Sequence, residues 1–377
     1  MSRERVVVVT TSFPRHADDA AGHFVEADAR VLSDRGHEVH VVCAGDSWRR
    51  PPERRGGLTI HWAGGGGLFR WPGALARLRQ GPWRAPQLLS FAAGVRRRLR
   101  QLGRVDHVVA HWLVPSAWPV LLAFPAPLTV VAHGADVRLM CALPGSVRRH
   151  IVDSLLGRRA SFRFVAAALQ DQLLSALEPR QATAVATCSR IEPCPIVVPP
   201  KGTVATAPTC AGRWASPPSN GEGLAAVVGR LVPDKRVDLA IRSVAQLATP
   251  PHLLVIGDGP ERDELQQLAR RLGVAATFLG QQPRGDCLQA IASADVLLHC
   301  SSVEAAPSVI REARAYGVPV VATVAGDVSR WAAADPNIIT AAPHAPALAA
   351  ALQIALKRRN HAPGLQNEAA RGTNAPC

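Results

Sequence analysis

The sequence lacks the features that mark several large classes of protein. Its eight cysteines form no CxxC pair, so neither a disulfide framework nor a zinc motif is indicated, and we expect a reducing, cytoplasmic environment. No uninterrupted apolar stretch approaches the roughly 18 residues expected of a membrane-spanning helix. The N-terminus leads straight into an apolar strand, without the hydrophobic region and cleavage site of a signal peptide.

Several catalytic motifs are missing as well. The sequence has no HExxH metal motif, GxSxG nucleophile elbow, Walker phosphate loop or GxGxxG dinucleotide fingerprint. Zinc proteases, serine hydrolases, P-loop enzymes and ordinary dehydrogenases are therefore disfavoured. We predict no metal site.

Lysine is scarce, with only three lysines among 43 basic residues. The net charge of +14 is concentrated in residues 1–200, which carry 26 arginines against 15 acidic residues. Between Arg49 and Arg104 there are 13 arginines and a single acid, Glu53. This basic segment favours an anionic membrane surface. Nucleic acid is disfavoured because no nucleic-acid-binding motif accompanies the charge, and a general preference for arginine is the alternative.

Strand and helix patterns alternate through both halves of the chain. Residues 6–11, 23–35 and 38–43 predict a βαβ unit, because two apolar runs flank an amphipathic segment. The N-terminal half also predicts strands at 58–62, 107–110, 128–132 and 163–166, with one or two helices over 73–102. The C-terminal half predicts strands at 224–228, 252–256, 277–279, 296–299 and 318–322, alternating with helices at 237–247, 261–272, 285–292 and 308–316.

This alternation predicts an α/β protein with two doubly wound, Rossmann-like domains. We expect an N-terminal domain at residues 1–198, a linker rich in Pro, Ser, Thr and Gly at 199–223, a C-terminal domain at 224–356 and a polar tail at 357–377. Ligands of such sheets bind at the carboxyl ends of the strands. Two such domains are expected to enclose a cleft between their strand ends.

Glu304 and Glu312 are the most informative pair of residues. Glu304 follows the apolar run 296–299, and Glu312 lies in the helix predicted to be capped by Ser308 and stopped by Gly317. Two carboxylates that accept hydrogen bonds suit a ligand rich in hydroxyl groups, such as a sugar or a ribose. The alternative is a solvated loop glutamate and a surface-helix glutamate.

Two cations follow the first strand of the C-terminal half. Arg230 and Lys235 lie five residues apart in the turn that begins at Gly229, and a forked donor beside a compact charge suits a diphosphate. Gly257 and Gly22 lie in turns after two other strands, where backbone can approach a ligand. The alternatives are solvated cations and, for Gly257, a purely structural turn.

His133 follows the strand predicted at 128–132, so it lies at the carboxyl end of a sheet strand. There its ring can donate a hydrogen bond to a sugar hydroxyl or a phosphate oxygen. His111 ends the preceding strand, and for it we favour a structural role.

In their order and spacing, these segments resemble a retaining GT-B glycosyltransferase of the family 4 type (glycosyl transferases group 1), over about residues 6–356. The sequence departs from the family's pattern at Ala305 and Arg236, where glycine is usual. The matching motifs are SFP at 12–14 with GHF at 22–24, GHEV at 36–39, HWLVP at 111–115, HGAD at 133–136, GRL at 229–231 with Lys235, GDGP at 257–260, Glu304 and Glu312 separated by seven residues, and GVPVV at 317–321.

The resemblance implies a role for each matching residue. Arg230 and Lys235 would neutralise the leaving diphosphate, and Glu312 would hold the ribose hydroxyls. Glu304 would hold the donor sugar, while His133 would contact the sugar or stabilise charge near the anomeric centre. The implied catalytic set is His133, Glu304, Arg230 and Lys235. The implied donor-binding set is Gly22, Gly229, Arg230, Lys235, Gly257, Ala305, Ala306, Pro307 and Glu312.

The resemblance further implies transfer of a sugar from a nucleotide-diphosphate sugar to a hydroxyl of a saccharide or lipid-linked acceptor, with retention of configuration. The setting would be cell-surface polysaccharide or glycolipid synthesis, in the cytoplasm or at the inner membrane face. No metal or other cofactor is expected, because Arg230 and Lys235 would supply the positive charge. Two alternatives stay open: a non-catalytic nucleotide-sugar-binding relative, and a nucleotide-sugar epimerase.

Overall fold

Two largely parallel β-sheets organise the protein, one in each half of the chain. The computed structural model describes residues 3–16, 19, 21–70, 73–118, 120–121, 124–200 and 223–360. Nearly all of the predicted linker and most of the predicted tail lie outside the described residues. The chain divides into two compact units, Met1–Val197 and Val198–Cys377. Among the described helices, none combines the length and apolar character needed to cross a bilayer.

The N-terminal unit is built on an eight-stranded sheet. Its strands are β1 (Arg5–Thr10), β2 (Glu38–Gly45), β3 (Glu53–Arg55), β4 (Leu58–Gly65), β5 (His107–His111), β6 (Leu128–Ala132), β7 (Ser161–Phe164) and β8 (Ser189–Ile191). They lie in the order β3-β4-β2-β1-β5-β6-β7-β8. Only the β3–β4 pair is antiparallel among these strands. The central strand β1 is buried from Val6 to Thr10, as its run of valines predicts.

Helices connect the strands of this sheet. They are α1 (His23–Asp34), α2 (Ala74–Gln80), α3 (Pro86–Leu102), α4 (Ala135–Ala142), α5 (Gly145–Gly157), α6 (Ala167–Ser175) and α7 (Pro179–Thr187). In α3 the buried Phe91, Val95 and Leu99 recur every fourth residue, which places them on one helix face. A Cβ on Gly94 of the same helix would lie 1.7 Å from the Ala63 carbonyl oxygen, so only glycine permits the close approach of α3 to β4.

The C-terminal unit contains a six-stranded parallel sheet. Its strands are β9 (Leu224–Val228), β10 (His252–Ile256), β11 (Ala276–Gly280), β12 (Val296–His299), β13 (Val320–Thr323) and β14 (Ile338–Ala341). Its helices are α8 (Val237–Val244), α9 (Arg262–Arg271), α10 (Arg284–Ser293), α11 (Ser308–Ala315), α12 (Val328–Ala334) and α13 (Ala345–Asn360). The strand order is β11-β10-β9-β12-β13-β14. The winding therefore reverses between β9 and β12, which is the point where doubly wound sheets bind ligands.

The predicted fold class of two doubly wound α/β domains is confirmed, and the structure corrects three details. Ser308 is the first residue of α11 and makes no capping hydrogen bond, because Pro307 occupies the cap position. Helix α13 extends to Asn360, so residues 357–360 are helical and do not belong to a polar tail. Strand β7 ends at Phe164, since the apolar run around it continues into the start of α6 and hydrophobicity alone cannot separate the two.

Candidate functional site

Lys235 and Glu304 meet at the switch point of the C-terminal sheet. The turn after β9 carries Lys235, the loop after β12 carries Glu304, and these two strands are neighbours. Lys235 Nζ and Glu304 Oε1 form an ion pair. Nε2 of His299, the last residue of β12, lies 3.2 Å from the same oxygen. The strand order thus unites residues that are 69 positions apart.

The Glu304 carboxylate is strongly biased towards its ionised form. Burial disfavours the charge, but the hydrogen bond from His299 and the nearby charge of Lys235 outweigh it and lower the pKa of Glu304 to about 2. The side chain is therefore an acceptor at neutral pH, as a sugar-hydroxyl ligand requires. His299 is a residue that sequence reasoning missed. Its available signal was its position at the carboxyl end of a predicted strand.

The loop that carries Glu304 is held in place by its backbone. Ser302 N donates to the Asp234 carbonyl oxygen at 2.8 Å, which joins the loop to the turn beside Lys235. Asp327 N donates to the Ala305 carbonyl oxygen at 3.0 Å. A Cβ on Gly326 would lie 2.3 Å from that same carbonyl oxygen, so Gly326 is required by this packing. The site is accordingly preorganised by three chain segments.

The segment Ala305–Pro307 leads directly into α11. Ala305 and Pro307 are buried, and Ala306 is half-buried. The first N–H groups of a helix have no acceptor within it, and together with the helix dipole they favour an anionic or hydroxyl-rich ligand. Ala305 stands at the position where the family usually has glycine, and its methyl group lies in the protein interior.

Glu312 lies one turn into α11 and is buried. Its Oε1 accepts a hydrogen bond from Arg284 Nη2 at 3.0 Å. Arg284 is the first residue of α10, so the pair links two helices that both begin at the carboxyl edge of the sheet. Sequence reasoning missed Arg284 because no local spacing connects it with Glu312, which lies 28 positions away.

Gly229 and Gly257 pack backbone against backbone. A Cβ on Gly257 would lie 1.8 Å from the Gly229 carbonyl oxygen, and one on Gly259 would lie 2.2 Å from the Leu231 carbonyl oxygen. The contact between the two turns explains why residue 257 is a glycine. It supports the alternative that Gly257 serves a purely structural turn. Beside this contact Arg230 is exposed, so its guanidinium is accessible to a ligand.

Arg236 stands where the family usually has glycine, and its backbone adopts a conformation that glycine favours. The residue has φ 49° and ψ 44°, a left-handed conformation that costs a non-glycine residue roughly 1–2 kcal/mol. Its Nε lies 3.1 Å from Asp238 Oδ1. The backbone of the Lys235 turn therefore keeps a glycine-like geometry without glycine.

Gly22 occupies a comparable position in the N-terminal unit. It precedes α1 with φ 71°, and a Cβ there would lie 2.4 Å from the Ser12 carbonyl oxygen. The glycine thus lets the loop after β1 press against the start of α1. This contact is internal to the unit, and ligand binding by Gly22 stays a prediction.

His133 belongs to a buried chain of polar contacts in the N-terminal unit. Its Nε2 lies 2.9 Å from His111 Nδ1, and His111 Nε2 lies 3.2 Å from Asp28 Oδ2. Arg163 Nη2 donates to the same Asp28 oxygen at 2.6 Å. The structural role favoured for His111 is therefore to orient His133, while Asp28 and Arg163 were missed because they lie 135 positions apart.

The electrostatics of this chain keep His133 neutral. Burial lowers its pKa well below 6.5, and the neighbouring His111 and Arg163 act in the same direction. For Asp28, burial opposes ionisation, but the hydrogen bond and charge of His111 and the charge of Arg163 outweigh it and lower the pKa. His133 is therefore available at neutral pH as an uncharged hydrogen-bonding ring.

Asp136 fixes the backbone around both histidines. Its Oδ1 accepts from the N–H groups of His133 and Gly134, each at 3.0 Å, and its Oδ2 accepts from Leu113 N at 2.9 Å. Trp112, between His111 and Leu113, has φ 77°, a strained conformation that is found preferentially at functional sites. The aspartate of the HGAD motif is thus a positioning residue.

Comparison with known proteins places both units in one class. Residues 21–190 match the model of Glycosyltransferase Family 4, and residues 212–372 match that of Glycosyl transferases group 1. Sucrose-phosphate synthase from Thermosynechococcus elongatus superposes with a TM-score of 0.70 at 19% identity, over 95% of this chain and 91% of that one. The protein therefore has the GT-B fold and carries glycosyltransferase domains of the family 4 and group 1 types.

Curated relatives show the same relationship. A D-inositol 3-phosphate glycosyltransferase of Nocardia farcinica is 29% identical over 349 residues, which cover 82% of this chain and 71% of the relative. A GDP-mannose-dependent alpha-mannosyltransferase of Mycobacterium tuberculosis is 37% identical over 114 residues, which cover 30% of this chain and 28% of the relative. The match to the mannosyltransferase thus spans less than a third of that protein. The predicted enzyme class is confirmed at the level of the domains.

Proposed function

We propose that the protein transfers a sugar from a nucleotide-diphosphate sugar to a hydroxyl acceptor, with retention of anomeric configuration. The observation that carries this proposal is the Lys235–Glu304 pair at the switch point of the C-terminal sheet. A cation and an ionised carboxylate side by side match the two ends of such a donor, because the diphosphate needs positive charge and the sugar needs hydrogen-bond acceptors.

Lys235 and Glu304 have further hydrogen-bonding groups with which to bind a nucleotide-sugar. A lysine ammonium has three N–H donors, and Glu304 accounts for one of them in Lys235. The recorded contacts of Glu304 with Lys235 and His299 both use Oε1, so Oε2 is the oxygen we assign to the sugar hydroxyls. The exposed Arg230 would join Lys235 on the diphosphate, and Glu312 would accept hydrogen bonds from the ribose.

Catalysis in this proposal rests on positioning and charge stabilisation. Lys235 and Arg230 would stabilise the departing diphosphate, whose oxygen would take the acceptor's proton on the same face of the sugar. The neutral His133 would contact the sugar near its anomeric centre. No resident metal is required in this scheme, because the two cations balance the charge that develops.

The acceptor class is inferred from the relatives. The names of the matched proteins include a D-inositol 3-phosphate glycosyltransferase and a teichuronic acid biosynthesis glycosyltransferase of Bacillus subtilis. We therefore propose a saccharide or lipid-linked acceptor used in the synthesis of cell-surface polysaccharide or glycolipid. Such a reaction would take place in the cytoplasm or at the inner membrane face.

A transfer assay tests this function. Purified protein is incubated with UDP-, GDP- and ADP-sugars, with and without saccharide or lipid-linked acceptors. We expect release of nucleoside diphosphate that depends on the acceptor, and a product whose anomeric proton in NMR has the configuration of the donor. Epimerised donor without acceptor would indicate the epimerase alternative. Tight donor binding without turnover on any acceptor would indicate the non-catalytic alternative.

We also propose that the N-terminal unit binds an anionic membrane surface through the outer face of α3 and the turn that precedes it. The side chains of Trp83, in the turn Pro82–Arg84 that precedes α3, and of Leu89, on α3, are 74% and 73% exposed. Arg96, Arg97 and Arg100 are exposed further along α3. Exposed apolar groups beside cations suit a lipid interface. Arg98 is excluded from this face, because it is buried and donates to the Trp48 and Arg50 carbonyl oxygens.

Vesicle sedimentation tests the membrane proposal. The double variant Trp83→Ser, Leu89→Ser is expected to bind phosphatidylglycerol-containing vesicles about 10-fold or more weakly, since both lost side chains are apolar anchors. Val147→Ser, on the exposed part of α5, is the matched control because Val147 is also exposed. Equal binding of the double variant and the wild type, or equal binding to neutral and anionic vesicles, would contradict the proposal.

A further inference from the structure

We propose that His111, His133 and Cys194 form a binding site for a zinc-type divalent metal ion. One ligand atom from each of the three side chains lies within 4.8 Å of the others. The residues come from the end of β5, the position after β6 and the segment after β8. Because they are far apart in sequence, the site has none of the CxxC or HExxH spacing by which such sites are recognised.

The donor set matches the chemistry of zinc. Zn²⁺ prefers imidazole nitrogen and thiolate sulfur, at about 2.0–2.1 Å and 2.3 Å respectively, and three protein ligands leave a fourth position for water or an anion. His111 Nδ1 and His133 Nε2 are 2.9 Å apart, and the two rings would separate by about half an ångström to span the edge of such a tetrahedron. His111 and Cys194 are buried and His133 is half-buried, so the open position would lie on the side of His133.

Two neighbouring charges support the site. Asp28 Oδ2 lies 3.2 Å from His111 Nε2, and a carboxylate beside a metal-binding histidine is a common companion that orients the ring. Arg163 Nη2 lies 3.5 Å from Cys194 Sγ, so the sulfur has a hydrogen-bond donor beside it. Asp28 pairs with Arg163 as well, which limits the repulsion between the guanidinium and a bound cation.

Metal binding would inhibit the enzyme. This consequence rests on the proposed function, because it assumes that His133 contacts the donor sugar. A metal ion on His133 Nε2, the nitrogen that faces His111 Nδ1, would place a double positive charge beside the sugar, where positive charge also develops in the transition state. Transfer would therefore fall as the site fills and would recover when a chelator removes the ion.

A cobalt titration tests the site without any substrate. Co²⁺ added to the reduced full-length protein is expected to bind one ion per chain and to produce thiolate-to-metal absorption in the near ultraviolet, which added Zn²⁺ then abolishes. Cys194→Ser is expected to lose the thiolate absorption and to weaken metal binding by at least about 10-fold, the lower end of what even a supporting partner contributes. Cys188→Ser is the control, since this half-buried thiol bonds to the backbone of α7 elsewhere in the unit.

A second variant separates a lost ligand from a lost fold. His111→Gln is expected to weaken Co²⁺ binding while the thermal unfolding transition without metal shows a folded protein. Thiolate absorption that persists in Cys194→Ser would overturn the proposal, as would the absence of stoichiometric binding by the wild type. Metal binding without inhibition of transfer would contradict the assigned contact of His133 and leave the metal site standing.

Discussion

Replacing Lys235 with methionine is expected to lower kcat/KM for sugar transfer by about 10²–10³-fold, the usual effect of removing one preorganised donor from developing charge. Methionine keeps the length of the side chain and removes its charge. Lys235 lies at the switch point where the diphosphate is proposed to leave, and its position is fixed by Glu304. Steady-state kinetics with a saturating acceptor measure the effect, and kcat is expected to fall with kcat/KM.

Glu304→Gln is the companion to this variant. It preserves the shape of the side chain but replaces a charged acceptor with an amide, so we expect a loss of similar order. Because Lys235 and Glu304 contact each other, the double variant should be little worse than either single variant, as is usual for residues that act as a unit. Arg242→Met is the control, since Arg242 is an exposed cation on α8. Undiminished activity in both single variants would refute the site assignment.

The sequence predicts the fold well where a short apolar run is bounded by turn residues. The bounds of β6, β9, β10 and β12 agree with prediction, because each is a short apolar run that has a neighbouring strand on both sides. Residues 345–360 were harder to interpret: they are rich in alanine, so helix α13 has little periodic contrast between its faces.

The candidate site could be predicted only in part, for a physical reason. Glu304 and Lys235 are recognisable because each follows a strand, and strand ends of a parallel sheet share one edge. Their direct pairing follows from the adjacency of β9 and β12, which no local pattern reveals. Arg284 was missed on the same grounds, since it acts through a carboxylate on another segment. His299 was missed although it ends the strand that leads into the loop of Glu304.

The glycines illustrate a second limit of prediction from sequence. Gly22 and Gly257 are recognisable as turn residues, but a sequence does not say what approaches them. In the structure the approaching atoms are the carbonyl oxygens of Ser12 and Gly229. Their need for glycine is explained by internal packing, independently of any ligand.

Calorimetric titration of a nucleoside diphosphate tests the central claim, a nucleotide-sugar site at the strand ends of the C-terminal unit. The nucleotide is the one that supports transfer, or each of UDP, GDP and ADP in turn. In Glu312→Gln we expect Kd to rise about 10–100-fold, because the ribose hydroxyls lose a charged acceptor worth roughly 1.5–3 kcal/mol. Glu264→Gln, at an exposed position on α9, serves as the matched control.

The same titration with a 2′,3′-dideoxynucleoside diphosphate isolates the ribose contact. The missing hydroxyls should weaken binding to the wild type about as much as the Glu312→Gln substitution does, and should add little in that variant. This non-additive result is what a direct contact between Glu312 and the ribose predicts. Nucleotide affinity that is the same in wild type and Glu312→Gln, or no nucleotide binding by the wild type, would contradict the account.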